Sequence, residues 1–245
     1  MMLYCMEEIR IQKYFTYCGI MSRRKTEEEI LKGNITVNGE AAKIGQKVII
    51  DRDEVKYKNV LIKFAINKIF TYIMLYKPIG YVTTLSDEKG RKCVTELIKD
   101  VNKRVYPVGR LDINSEGLLI LTDDGELTNK LTHPKNEIPK IYQVKINKDI
   151  TDDELKILNQ EMIIDGYTIK PVRTEIIDKN RNFTLLKMTL YEGRNRQIRK
   201  MCENIGLDII NLKRTAIGTI TLGDLRTGQW RYLNSNQIKY LKEGI

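Results

Sequence analysis

Histidine is nearly missing from this 245-residue chain, and the four cysteines, Cys5, Cys18, Cys93 and Cys202, are scattered with no Cys-x-x-Cys pair. Structural zinc takes three or four such ligands in close order, so no metal site is expected, and the spacing offers no disulfide framework. The lone His133 stands before Pro134 at an expected helix end, where a histidine caps or packs. It has no nucleophile or orienting carboxylate near it in sequence. No run of about 18 apolar residues is present, and Met1 to Glu8 lacks a basic stretch followed by an apolar one. The expectation is a cytoplasmic protein without a membrane partner, and Met6 offers a second start. Internal repeats and low-complexity runs are absent as well.

What the chain does have is a folded protein's composition, 42% apolar and 30% charged, with 42 Lys and Arg against 32 Asp and Glu. The excess of ten positive charges points to a polyanionic partner, nucleic acid before membrane. Residues 7–66 read as a first domain. Ile9, Ile11, Tyr14, Phe15, Cys18 and Ile20 fall near helical spacing, Gly19 can end that helix, and Ser22 is placed to cap a second one from Arg23 to Lys32. Asn34 to Gly39 reads as a short strand entering an Asn-Gly turn, and 43–51 and 55–64 supply more strand. Residues 67–71 read as a short linker, and 72–245 as a second domain.

The second domain is organised around Tyr106 to Glu126. Asp112 lies in a polar loop between an apolar-basic run and a Gly-led apolar strand, where a ligand can reach its carboxylate. Spacing alone allows a plain hairpin with Asp112 and Asn114 as turn formers. Further on, Lys140 to Ile146 alternates as a strand, Thr151 caps a helix from Asp152, and short strands flank Asp165-Gly166. Arginines at 194, 196 and 199 open a helix whose N-terminus suits an anion.

Gly109-Arg110-Leu111-Asp112, Ser115-Glu116-Gly117-Leu118-Leu119 and Thr122-Asp123-Asp124-Gly125 together resemble the catalytic motif of Rsu-type ribosomal RNA pseudouridine synthases. Lys140-x-Tyr142-x-Val144 matches that family's second motif, and Gly193-Arg194-Asn195-Arg196-Gln197-Ile198-Arg199 its third. Lys77-Pro78-x-Gly80 is found at the start of its catalytic domain. In the first domain, Arg10-x-x-Lys13-Tyr14, Gly19 to Arg24 and Ile30 to Gly39 look like an S4-type RNA-binding domain. The resemblance runs from about Glu8 to Leu241.

It implies an α+β fold, a small S4-like α/β domain followed by a catalytic domain on a mostly antiparallel bent sheet, with a basic cleft across its middle. It implies conversion of uridine to pseudouridine without cofactor, because the base is retained throughout. Asp112 would be the reacting carboxylate, Tyr142 would stack on the flipped base, and Arg199 would pair with Asp112. Lys77, Arg110, Arg194, Arg196 and Gln197 would meet the substrate, and Leu212 would pack beneath it. Arg10, Lys13, Ser22, Arg23, Lys25 and Lys32 would face RNA phosphates. The partner is ribosomal RNA and the expected state a monomer. The large-subunit branch, hence 23S rRNA, fits best; 16S rRNA, or a non-catalytic assembly protein with this fold, are the alternatives.

Overall fold

The computed structural model describes residues 7–65 and 68–243. Cys5, the choice between Met1 and Met6, and residues 66 and 67, the last of the expected first domain and the first of the expected linker, lie outside them. The chain divides into two compact units, 1–70 and 71–245. Among the described residues, no helix is long and apolar enough to cross a membrane.

In the first unit, helices Ile11–Tyr17 and Arg23–Leu31 pack over small sheets built from Glu8–Arg10 with Lys47–Ile49 and from Ile35–Val37, Glu40–Ala41, Val55–Tyr57 and Val60–Leu61. The Ser22 side chain accepts from the Lys25 backbone N–H and caps the second helix. Ile9 does not begin the first helix. It is buried in a strand, opposite Val48, and the helix starts two residues later. Asn38 and Gly39 both take positive φ in the expected turn, at 52° and 88°. A second hairpin turns on Lys58 and Asn59, also both at positive φ.

The second unit is built on a nine-stranded sheet. Its order is Arg173–Asn180, Phe183–Leu190, Lys140–Ile146, Ile209–Ile217, Glu116–Thr122, Tyr72–Lys77 and Trp230–Tyr232, with Tyr106–Pro107 and Ile220–Thr221 pairing at the side. Every pairing is antiparallel except that of Ile209–Ile217 with Glu116–Thr122, the seam where the two halves of the sheet join. Each half has its own apolar cluster. One gathers Val144, Leu186, Met201 and Leu212, the other Ile73, Leu75, Leu119 and Leu121. Helix Gly125–Thr132 starts on Asp124, whose carboxylate accepts from the backbone of Glu126 and Leu127, and helix Asp152–Leu158 on a capping box of Thr151 and Glu154. His133 closes the first of these, its Nδ1 accepting from the Lys135 N–H.

Candidate active site

The seam lines up four residues in one row across neighbouring strands: Tyr142 opposite Arg214, Arg214 opposite Gly117, and Gly117 opposite Lys77. Tyr142 and Arg214, paired directly across antiparallel strands, project to one face, and Lys140 follows on that face by alternation. Strands stand about 4.8 Å apart, so the row brings Tyr142 within about 10 Å of the strand that carries the Asp112 loop. Gly117 has no side chain for a physical reason. Its φ is +113°, and a Cβ there would meet the Arg214 backbone oxygen at 2.2 Å.

The Asp112 loop is held from below and from the side. Lys77, fully buried, donates from Nζ to the carbonyls of Asp112 at 3.0 Å, Ser115 at 2.7 Å and Pro78 at 2.9 Å. Thr83 clasps Leu111 with two bonds, Oγ1 donating to its carbonyl at 2.7 Å and accepting from its N–H at 3.2 Å. The Gly80 N–H donates to the Ile113 carbonyl at 2.8 Å, and the Ser115 N–H to that of Asp112 at 3.0 Å. With these backbone groups fixed, the carboxylate itself is left as the accessible part, its side chain 37% exposed. A charged group fixed before substrate arrives needs no reorganisation during the reaction.

Arg199, the expected partner of Asp112, is turned to the backbone of its loop while its charge still feels the carboxylate. Arg199 donates to the Asn114 carbonyl at 2.7 Å and to the Ser115 hydroxyl at 3.2 Å, so it braces the loop. The guanidinium in ion-pair range of the Asp112 carboxylate is that of Arg196, at 3.9 Å. Arg196 reaches it because it stands just before helix Gln197–Asn204 in the left-handed conformation, φ 53°, while Arg199 sits one turn into the helix. Burial and the neighbouring Arg196 push the Arg199 guanidinium pKa down, against the pull of Asp112.

Two other expected site residues lie inside the protein. Lys77 is interior and donates to three carbonyls, a support of the loop. Gln197, 3% exposed, accepts at Oε1 from the Arg194 N–H at 3.1 Å and so shapes the arginine loop from within. Leu212 is buried in the apolar cluster against which Tyr142 packs. Arg110, Arg194 and Arg196 are exposed, and Tyr142 is half-buried. In the first unit Arg10 and Arg23 are exposed and Lys13 half-buried; Ser22 is the helix cap; Lys25 pairs with Glu28 and Glu29, and Lys32 with Glu29.

Arg214 and Thr83 were not singled out in the sequence. Arg214 is 4% exposed, donates from Nε to the Leu118 carbonyl at 2.8 Å, and leaves one buried Nη without a hydrogen-bond partner. Together with burial it pulls Lys140 down to about 8, and burial foremost does the same to Lys77. Arg214, Lys140 and Lys77 thus gather cationic side chains along the seam, and Arg196 stands 3.9 Å from the Asp112 side chain. Such a site can bind a polyanion and stabilise a positive charge that develops on the bound group.

Comparison with known proteins shows the family. Residues 71–204 match the family model described as RNA pseudouridylate synthase. The chain is 40% identical to an uncharacterized RNA pseudouridine synthase of Aquifex aeolicus (strain VF5), over 98% of this chain and 96% of the other. It is 37% identical to ribosomal large subunit pseudouridine synthase B of Bacillus subtilis (strain 168), over 95% of each. The crystal structure of a pseudouridylate synthase superposes with a TM-score of 0.69 at 26% identity, over 95% of this chain and 99% of that one.

Proposed function

Because the chain belongs to the Rsu-type family of RNA pseudouridine synthases, we propose that it isomerises uridine to pseudouridine in 23S ribosomal RNA, with Asp112 as the reacting carboxylate. The relative in Bacillus subtilis is named for the large ribosomal subunit, which favours 23S over 16S rRNA. The observation that carries the mechanism is the Asp112 carboxylate, left exposed on a loop whose backbone is fixed by Lys77, Arg199 and Thr83.

The reaction breaks the bond between C1′ and N1, turns the base, and joins C1′ to C5; the proton leaves C5 and N1 gains one. Asp112 answers the positive charge that develops at the sugar, as a glycosidase carboxylate does. Arg196 orients it from the open side. A uridine inside a stacked helix is out of reach, so it is flipped out at a cost of about a few kcal/mol, which stacking on Tyr142 offsets in part. Tyr142, or a water it holds, takes the C5 proton. Leu212 supports the ring of Tyr142 from beneath. Arg110 and Arg194 meet the RNA backbone beside the flipped nucleotide. The first unit, read as an S4-like domain, adds phosphate contacts through Arg10, Lys13, Arg23, Lys25 and Lys32, and the enzyme works in the cytoplasm as a monomer with no cofactor.

Tritium release from RNA labelled at C5 of uridine tests this, with 23S, 16S and transfer RNA transcripts assayed separately. Release is expected from 23S rRNA alone. Asp112→Asn should lose nearly all turnover and keep RNA binding; a variant that turned over like the parent would remove Asp112 from its role.

A further inference from the structure

Beside the arginine loop lies a cleft of about 730 Å³, bounded by the hairpin Met162–Ile164 and Tyr167–Ile169, the 134–137 turn and residues 192–195, of whose lining Arg194 alone takes part in the reaction above. Its floor is a stacked pair. The Arg194 guanidinium carbon stands 3.0 Å from the centre of the Tyr167 ring, and Tyr167 is still 43% exposed, so the pair keeps an open face. The pair is held at both ends. Lys200 of the following helix pairs with Asp165 at the hairpin tip, and Lys170 just past the hairpin pairs with Glu137 and donates its backbone N–H to Glu192.

The charge of the cleft says what it takes. Lys135, Lys170 and Arg194 line it, and so do the exposed Glu137 and the buried Glu192, which pairs with Arg194 at 3.6 Å. A pocket for phosphate alone would not carry two carboxylates. Unstacked bases, in contrast, are recognised by stacking on an aromatic ring or a guanidinium plane, with polar groups meeting their edges. Carboxylates accept from base amino groups. Position gives the rest: Arg194 is two residues from Arg196, which pairs with Asp112. Two residues of extended chain span about 7 Å.

We propose that this cleft holds a second unstacked nucleotide of the substrate RNA, close to the flipped uridine in the strand, its base on the Tyr167–Arg194 pair and its amino group toward the exposed Glu137. It rests on the reading of the chain as an RNA pseudouridine synthase, and it makes the cleft a specificity site, since a base with an amino edge fits and a uracil does not.

The test uses the full-length protein, tritiated 23S rRNA transcript, and the variants Tyr167→Ala and Tyr167→Phe. Losing one base stack weakens binding by about tenfold or more. Tyr167→Ala should therefore raise KM about tenfold, with kcat the lesser change, and Tyr167→Phe should restore it. The dependence of RNA binding on salt should keep its slope, because a lost stack removes no phosphate contact. A parental KM in Tyr167→Ala, or a loss that phenylalanine does not restore, overturns the second nucleotide while leaving the reaction in place. A wild-type protein that releases no tritium from any RNA overturns the assigned reaction, and the proposal with it.

Discussion

The role proposed for Asp112 depends on the residues that hold its loop from beneath. Lys77 shows how: a buried ammonium is unfavourable, yet three carbonyls turned toward it make it the peg on which the loop hangs. Burial, with Arg214 beside it, lowers the pKa of Lys140 to about 8 as well. Between pH 8 and 10.5 the unfolded chain holds a proton there that the native protein has released, so in this window stability rises with pH. The penalty of the charged lysine is full below pH 8 and fades above it. Lys140→Met should then melt at a higher temperature than the parent at pH 7, with the difference shrinking by pH 10. Calorimetry at the two pH values decides it; an equal difference at both would mean that the charge of Lys140 is no burden. Lys140 lies on the face proposed to meet RNA, so weaker RNA binding should accompany the gain.

The helix Gln197–Asn204 and its entry loop are where an element becomes a tool. Arg196 holds φ 53°, ψ 31°, a conformation that strains a side-chain-bearing residue by roughly 1–2 kcal/mol. Strain of this kind persists where the surroundings fix it, as they do beside Asp112. Arg196→Gly relieves it at the expense of a freer unfolded chain, for a net gain of about 1 kcal/mol or less. The melting temperature should hold or rise by about 2 °C, while kcat falls roughly tenfold with the loss of the ion pair. A kcat equal to the parent's would show that Arg196 does nothing for the carboxylate. Elements with local causes were legible in the sequence: Ser22 and Thr151 cap their own helices, and Asn38-Gly39 sets its own turn. Lys58-Asn59 carries no glycine and took its turn from the pairing of its strands, which no local signal announces. Likewise the motif located Asp112 and the arginines. Which arginine meets the carboxylate depends on one left-handed residue, and the burial of Lys77 on the strand order, both products of tertiary structure.

At the scale of the molecule the question is how two units share one polyanion. Residues 1–70 hold 13 Lys and Arg against nine Asp and Glu, leaving six of the ten excess positive charges to residues 71–245. Neither unit is so basic that charge alone would dominate, and in the first several lysines are answered by carboxylates, Lys25 and Lys32 both by Glu29. Arg10 and Arg23 remain as exposed guanidinium groups on that unit. Each phosphate contact to single-stranded RNA contributes about 0.7 to the slope of log affinity against log salt. In the full-length protein, Arg10→Gln with Arg23→Gln should therefore flatten that slope by about 1.4, raise KM, and leave kcat as it was. Binding titrations between 50 and 200 mM salt, beside tritium release at saturating RNA, separate the two quantities. A flattened slope with unchanged kcat assigns the first unit to holding RNA and the second to the chemistry. An unaltered slope would take those two arginines off the RNA, and the polyanion would then be held by the catalytic unit's own cationic face.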